Sequence, residues 1–188
     1  MNDYFHDTGY CNAEFLEFCH DVSNKFSFYD TTRQDVRQEF SRALNSAFFE
    51  NTEYHHDAEQ FVKQLFPAGY RIYRLMKLTP NASYNHGELI HGKYYHVDSH
   101  CNSRINILIS PDNPLSRTEF MMNSETNSVI AVPYKRGYHV VFNTQQRHHV
   151  SHGDPINARY VFSIEYTFKY HELLKLSLEH YDRLKKIQ

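Results

Sequence analysis

The residues best suited to metal chemistry are a histidine and an aspartate two positions apart, His96 and Asp98, in the segment Tyr-Tyr-His-Val-Asp. This segment is predicted to be a β-strand, in which alternate side chains lie on the same face. The imidazole and the carboxylate would then point the same way and could bind one ion. Because His-x-Asp pairs are common by chance, a metal site needs a third ligand from elsewhere in the chain.

Candidates for the third ligand follow about fifty residues later, where His148, His149 and His152 come after an apolar, strand-like segment. Two histidines and one carboxylate that leave coordination positions open form the facial arrangement of non-haem iron(II) sites. The open positions can take a bidentate keto acid and dioxygen. The alternative interpretation of the three histidines is a solvated loop.

A single cation, Arg159, lies near the start of the run Asn-Ala-Arg-Tyr-Val-Phe-Ser-Ile-Glu-Tyr. A buried arginine needs an anionic partner, and its planar guanidinium suits a carboxylate. That partner is either a nearby acid, Asp154 or Glu165, or a bound dicarboxylate. We favour the dicarboxylate, which would also supply the keto acid expected at the metal.

Short β-type segments separated by turn residues must position these side chains. Eight are predicted, at residues 70–78, 94–98, 104–110, 119–122, 129–132, 139–142, 148–152 and 159–168. Apolar residues at three- and four-residue intervals predict helices at 34–49, 57–66 and 170–187. Eight strands without crossover helices between them indicate a mainly β (α+β) fold with an antiparallel sandwich or jelly roll.

Length and composition suit a single domain, 1–188, with a helical part at 1–69, a β core at 70–168 and a C-terminal helix at 169–188.

The formal net charge of −2 gives no reason to expect nucleic acid as a partner. Three cysteines without framework spacing are expected to be free thiols. Since no signal peptide or membrane-spanning run is visible, we expect a cytoplasmic protein. The C-terminal helix either covers the core, which we favour, or forms a homodimer contact.

The motifs together resemble the iron(II)- and 2-oxoglutarate-dependent dioxygenases, particularly the small prolyl-hydroxylase-like members. The resemblance covers roughly residues 70–168. It rests on Tyr-Arg-Ile-Tyr-Arg-Leu from residue 70, Leu-Thr-Pro-Asn from residue 78, His96-x-Asp98, the strand at 104–110, Gly-Tyr-His-Val-Val-Phe from residue 137, His148-x-Val150, and Arg159 with Ser163. It implies a double-stranded β-helix core (jelly roll, cupin-like) with flanking N-terminal helices and a C-terminal helix.

Carried to this sequence, the resemblance implies that His96, Asp98 and His148 are the catalytic metal site and hold iron(II). His148 is favoured as the distal ligand because the family's motif usually reads His-x-Val. His149 is the second choice and His152 the third.

The resemblance also implies that Arg159 binds the far carboxylate of 2-oxoglutarate, with help from Ser163. Asn106 is a further cosubstrate candidate, although the sequence does not reveal which face of its strand is inward. The expected reaction is hydroxylation of an unactivated C–H bond, with 2-oxoglutarate and dioxygen converted to succinate and carbon dioxide and ascorbate as a candidate reductant. A carboxylate at Asp98 disfavours halogenation, because related halogenases carry a small residue there.

The favoured substrate is an amino-acid side chain, either in a free amino acid or in a peptide. A small-molecule tailoring hydroxylase is one alternative. A non-catalytic jelly-roll module that binds a metal or ligand is another.

Overall fold

The computed structural model describes residues 2–25, 44–50, 52–83 and 87–186, and only the backbone of residues 44–48. In chain order the elements are β1 (Phe5–Tyr10), α1 (Ala13–Lys25), β2 (Leu44–Phe48), α2 (His55–Leu65), β3 (Tyr70–Leu78), β4 (Ala82–Ser83), β5 (Glu88–Ile90), β6 (Lys93–Tyr95), β7 (Ser103–Leu108), β8 (Ser116–Asn123), β9 (Ser128–Ala131), β10 (Tyr138–Phe142), β11 (His148–His152), β12 (Arg159–Tyr166) and α3 (Tyr170–Lys185).

Two antiparallel sheets form the β core. The larger sheet has the strand order β1-β10-β7-β12-β3-β2, the smaller has the order β4-β11-β8-β9, and β5 and β6 form a separate hairpin. The described neighbouring strands all pair in the antiparallel sense. This mainly β architecture confirms the predicted jelly-roll fold class.

One face of the larger sheet is covered by the helices. On β12, Phe162 and Ile164 belong to a buried cluster with side chains of α1, α2 and α3, among them Phe15, Val62 and Leu173. Burial of each such large apolar side chain contributes about 1.5–3 kcal/mol relative to leaving it exposed. The helices therefore anchor β12, the strand that carries the predicted cosubstrate residues.

The other face of the larger sheet is turned toward the smaller sheet. Val140 and Phe142 of β10 pack in one buried cluster with Phe120 of β8. Asn106 of β7 pairs in register with Val140 on one side and Ser163 on the other, so its side chain lies on this same enclosed face. Polar residues on the enclosed face are available to a site between the sheets.

Three predictions about the elements are corrected by the structure. The predicted helix at 34–49 is wrong at its end, because Leu44–Phe48 pairs with β3 as a strand; residues 34–43 lie outside the described part. The N-terminal part is not only helical, since β1 extends the larger sheet beside β10. The predicted strand at 94–98 ends at Tyr95. In the first two cases, pairing partners distant in the sequence, rather than local periodicity, decide the outcome.

The C-terminal helix α3 agrees closely with its prediction. Leu173 and Leu174 are buried in the main cluster, as the covering role requires, and a homodimer contact stays a prediction. The three cysteines are free and buried. Among the described residues, no helix combines the length and apolar character needed to cross a membrane.

Candidate metal centre

A short antiparallel bridge brings His96 and His148 together. The amide N–H of His96 donates to the carbonyl oxygen of His148 at 3.0 Å, and the reverse bond measures 2.9 Å. Residues paired in this way lie directly opposite each other. The centroids of the two imidazole rings are accordingly 4.1 Å apart. Two residues farther on, the amide of Asp98 donates to the carbonyl oxygen of Thr144 at 3.0 Å, which fixes the second half of the His-x-Asp pair.

The side chains of His96, Asp98 and His148 form a group that could hold one metal ion. One ligand atom from each lies within 4.8 Å of the other two. Nε2 of His96 is 3.8 Å from Oδ1 of Asp98, and Nε2 of His148 is 4.0 Å from Oδ2. Nδ1 of His148 is 2.9 Å from the carbonyl oxygen of Gln146, a contact that directs Nε2 toward the carboxylate. Two imidazoles and one carboxylate are the donor set of a facial iron(II) site.

The other two candidate histidines are held elsewhere. Nδ1 of His149 lies 2.8 Å from the carbonyl oxygen of Tyr94. Nε2 of His152 lies 2.6 Å from the carbonyl oxygen of Asn157. Of the three histidines, the structure brings His148 next to the His-x-Asp pair, and its metal-binding role stays a prediction.

The charge states of these groups suit a cation. Burial alone would raise the pKa of Asp98, but the Arg104 guanidinium, whose Nη2 lies 3.0 Å from Oδ2, and the neighbouring imidazoles lower that pKa overall. Burial lowers the pKa of the His148 imidazole. At neutral pH the carboxylate is therefore ionised and this imidazole neutral, as metal ligation requires.

A glycine allows the hairpin of β5 and β6 to approach the site. Gly87 has a φ of 116°, and a Cβ added to it would lie 2.1 Å from the carbonyl oxygen of Tyr95 and 3.0 Å from Cβ of His96. A side chain at this position would therefore displace the segment that carries the first histidine.

The three predicted cosubstrate residues lie on the enclosed face of the larger sheet. Arg159 and Ser163 are separated by an even number of positions on β12, and Asn106 pairs with Ser163 across the strands. Arg159 is 2% exposed, and its guanidinium carbon lies 4.6 Å from the ring centroid of Tyr134. The side-chain amide of Asn106 donates to the Tyr134 hydroxyl at 3.3 Å. The structure thus brings these residues to one surface.

Arg159, Ser163 and Asn106 each have a buried polar atom that lacks a hydrogen-bond partner in the described part of the chain. Among the described residues, Nε and Nη1 of Arg159, Oγ of Ser163 and Oδ1 of Asn106 are buried without a hydrogen-bond partner. Burial also lowers the pKa of Arg159, which reflects the cost of a desolvated cation. Unpaired buried donors of this kind are rare in native proteins and call for a partner. The terminal carboxylate of a dicarboxylate could accept hydrogen bonds from the Arg159 and Ser163 donors.

The nearby acids do not provide that partner. Oε1 of Glu165 is 2.5 Å from Nη2 of Arg74 and 3.2 Å from Nη2 of Arg104. Asp154 instead accepts a hydrogen bond from the amide of Asn157 at 2.8 Å. This arrangement disfavours the interpretation of Arg159 as half of an internal ion pair.

A second group of possible metal ligands, His100, Cys101 and Glu165, lies beside the first. The carboxylate in this group already faces two guanidiniums, those of Arg74 and Arg104. Two cations against the shared carboxylate oppose a third positive charge. We therefore assign no metal to this group.

Two residues that shape the site were missed in the sequence. Arg104 is the second residue of the buried strand β7 and lies two positions before Asn106, so a charged residue on the same face as Asn106 was a usable signal. Tyr134 lies between β9 and β10, outside the predicted strands, and gave no such signal. Its place beside Arg159 depends on the tertiary fold.

Comparison with solved structures finds proteins of similar fold, among them prolyl hydroxylases and a protein solved with 2-oxoglutarate bound. A Trichoplax adhaerens prolyl hydroxylase, in complex with a hypoxia inducible factor oxygen degradation domain peptide fragment, matches with a TM-score of 0.59 at 12% identity, over 94% of this chain and 88% of that one. A Pseudomonas putida prolyl-4-hydroxylase matches with a TM-score of 0.53 at 14% identity, over 86% and 90%.

A third similar structure is HygX from Streptomyces hygroscopicus with nickel, 2-oxoglutarate and hygromycin B bound. Its TM-score is 0.53 at 9% identity, over 87% of this chain and 82% of that one. No protein-family model and no curated protein matches the sequence. At these identities the likeness shows the fold, and at that level it confirms the predicted resemblance.

Proposed function

We propose that this protein is an iron(II)- and 2-oxoglutarate-dependent dioxygenase that hydroxylates an unactivated C–H bond. The observation that carries the proposal is a buried, anion-free guanidinium, Arg159, on the same enclosed face that meets the His96, Asp98 and His148 group. A metal triad alone would suit many proteins. A triad together with an unsatisfied buried cation needs both a metal and a carboxylate ligand.

Each residue then has a defined task. His96, Asp98 and His148 would hold iron(II) and leave three coordination positions for ligands. Arg159, with Ser163, would bind the far carboxylate of 2-oxoglutarate. Bound iron and 2-oxoglutarate supply the oxidising chemistry, in which dioxygen and 2-oxoglutarate give succinate, carbon dioxide and a hydroxylated product.

Arg104 has a positioning task. Its Nη2 is 3.0 Å from Oδ2 of Asp98, while Oδ1 faces His96 at 3.8 Å. A guanidinium on one oxygen would orient the carboxylate with the other oxygen toward the metal. It would also keep the carboxylate ionised before the metal binds.

The substrate is proposed to be an amino-acid side chain, in a free amino acid or a peptide. The Trichoplax adhaerens structure contains a peptide fragment, and the HygX structure contains hygromycin B. Both kinds of substrate therefore occur on this fold, and a small-molecule hydroxylase stays the alternative. A non-catalytic binding module is the third possibility.

The test compares two adjacent histidines on opposite faces of one strand. Manganese(II) binding, followed by electron paramagnetic resonance, should weaken at least about 100-fold in His148→Ala and in Asp98→Ala, and only slightly in the matched control His149→Ala. Succinate formation from 2-oxoglutarate with iron(II) should follow the same order.

Two results would contradict the proposal. Equal manganese affinity in His148→Ala and the wild type would remove the proposed triad. Tight manganese binding without any affinity for 2-oxoglutarate would instead favour the non-catalytic binding module.

A further inference from the structure

A cavity lies at the end of the β core opposite the proposed metal ligands. Ser116, which lines it, pairs with His152 at the last position of β11, whereas His148 begins that strand. Arg159, which also lines it, is the first residue of β12. The cavity has a volume of about 600 Å³ and opens to solvent. We call it the outer cavity and define it by Leu108, Ser116, Val132, Tyr134 and Arg159.

The ring of Tyr134 lies between the outer cavity and the interior of the β core. It packs against two buried clusters inside the core, one that contains Leu108 and one that contains Val132. Leu108 and Val132 also line the outer cavity. The residues around the ring therefore contact the interior on one side and the cavity on the other, so Tyr134 closes this end of the core.

Backbone hydrogen bonds hold the segment that carries Tyr134 against both sheets. The amide of Val132 donates to the carbonyl oxygen of Thr118 on β8 at 2.9 Å, and the amide of Gly137 donates to that of Leu108 on β7 at 2.9 Å. The amide of Tyr134 itself donates to the carbonyl oxygen of Val132 at 2.9 Å. The ring is thus carried by a short segment that is fixed at both ends.

The inner side of the ring meets the proposed cosubstrate residues. The guanidinium carbon of Arg159 lies 4.6 Å from the ring centroid, and the side-chain amide of Asn106 donates to the Tyr134 hydroxyl at 3.3 Å. Asn106 pairs across the strands with Ser163. The hydroxyl therefore reaches the depth of Asn106 and Ser163 in the core, and a ligand held by Arg159 and Ser163 would contact Tyr134 at its far end.

This contact would limit the length of a keto acid. If the keto group is at the metal and the far carboxylate is at Arg159, an additional methylene group would push that carboxylate against the ring of Tyr134. A single methylene group changes the affinity of a closed site about 10- to 200-fold. Behind the ring, the outer cavity offers about 600 Å³ of space. Its lining includes a second guanidinium, Arg117, and one carboxylate, Asp112, so a carboxylate that entered it would not meet a net negative charge.

We propose that Tyr134 determines the chain length of the keto acid that the protein uses, because its ring closes the cosubstrate site against the outer cavity. This inference rests on the proposed dioxygenase function and identifies the residue that makes the site selective for 2-oxoglutarate. The excluded compound is 2-oxoadipate, which is longer by one methylene group. The determinant is the ring of Tyr134 rather than its hydroxyl group.

The experiment uses the full chain with manganese(II) in place of iron(II). Calorimetry measures the dissociation constants of 2-oxoglutarate and 2-oxoadipate, and the ratio of the two constants is the readout. The wild type should bind 2-oxoglutarate at least about 10-fold more tightly than 2-oxoadipate. Tyr134→Ala joins the cosubstrate site to the outer cavity, so the preference should fall by about 10-fold, to near equality.

Two control variants separate the ring from other effects. Tyr134→Phe keeps the ring and removes the hydroxyl group, so it should change both affinities together and keep the wild-type ratio. Tyr10→Ala removes a tyrosine that packs on Tyr138 at a centroid distance of 5.2 Å, outside the described lining of the outer cavity. It should also keep the ratio. If Tyr134→Ala does not fold, Tyr134→Leu, which keeps an apolar side chain without the ring, should lower the ratio in the same direction.

Failure of this proposal is separable from failure of the proposed function. Binding of 2-oxoglutarate to the manganese-loaded wild type tests the dioxygenase site alone. If it binds, three results overturn the proposal for Tyr134: equal binding of both keto acids by the wild type, an unchanged ratio when the ring is removed, or a lost preference in Tyr134→Phe. If 2-oxoglutarate does not bind to the wild type, the dioxygenase function itself is wrong and the proposal for Tyr134 falls with it.

Discussion

The two ends of the inward face of β12 carry opposite charges, and they differ in whether a side chain of opposite charge lies against them. At one end Arg159 is buried against Tyr134 with no acidic partner among the described residues. At the other end Glu165 is buried against Arg74 and Arg104. Both residues are charged and nearly inaccessible, but only the second belongs to an internal network.

The difference separates a charge that stabilises the fold from one that is reserved for a ligand. Removing one member of a buried, paired network leaves the others uncompensated and destabilises the protein. Removing a buried cation that has no partner should instead relieve a desolvation cost. The same substitution is therefore expected to change stability in opposite directions at the two ends.

The largest effect on stability is expected for Arg104→Met. This change leaves Asp98 and part of Glu165 without their guanidinium, so the free energy of unfolding should fall by about 3–5 kcal/mol. Urea unfolding of the metal-free protein measures this loss. The control is Arg117→Met, because Arg117 is exposed and its Nη1 lies 3.8 Å from Glu119, and it should cost at most about 0.5 kcal/mol. A loss of less than about 1 kcal/mol for Arg104→Met would show that Arg104 does not stabilise the buried carboxylates of Asp98 and Glu165.

The next effect is expected for Arg159→Met and concerns the ligand. Without ligand, this variant should be at least as stable as the wild type, because a buried cation that has no acidic partner among the described residues is replaced by an apolar chain of similar length. At 2-oxoglutarate concentrations of about 100 times Kd, the wild type should gain about 2.7 kcal/mol of stability, and the variant should gain almost none. Urea unfolding in the presence of manganese(II), with and without 2-oxoglutarate, measures both the stability of the ligand-free protein and the stability gained on ligand binding.

Either of two outcomes for Arg159→Met would contradict the proposed contrast between Arg159 and Glu165. A large loss of stability without ligand would mean that Arg159 supports the fold itself. An unchanged gain from 2-oxoglutarate would mean that the cosubstrate is bound elsewhere.

The sequence was informative where short local patterns decide the structure. The spacing of His96 and Asp98, and the charge of Arg159 inside an apolar run, are local signals. The helix α3 was also predicted closely from its periodicity. In each case the relevant residues lie within a few positions of one another.

Long-range pairing decides the rest and has no local signal. The choice of His148 over His149 follows from the bridge to His96, which joins segments far apart in the chain. The strand at Leu44–Phe48 forms because β3 offers a free edge there. The partner of Arg104 and the place of Tyr134 depend on how the two sheets meet, so neither could be predicted from residue spacing.

The smallest expected effect is a difference in pH dependence between the two ends of β12. Burial alone would raise the pKa of Glu165, but the hydrogen bond from His100 and the charges of Arg104 and Arg74 lower it from 4.5 to about 2. A carboxyl group whose pKa is lowered by folding contributes stability that is complete above the unfolded value and is lost as the pH falls through the folded value. Stability should therefore decline between about pH 4.5 and pH 2, by up to about 1.4 kcal/mol per pH unit for this group.

Glu165→Gln removes this titration and should make the curve of unfolding free energy against pH less steep below about pH 4.5. Arg159→Met should run parallel to the wild type, because Arg159 stays protonated throughout this range. The buried histidines, whose pKa values are lowered by burial, titrate alike in all three proteins and cancel in the comparison. Parallel curves for Glu165→Gln and the wild type would mean that the carboxyl group is not stabilised by its arginines, and the contrast between the two ends of β12 would then be lost.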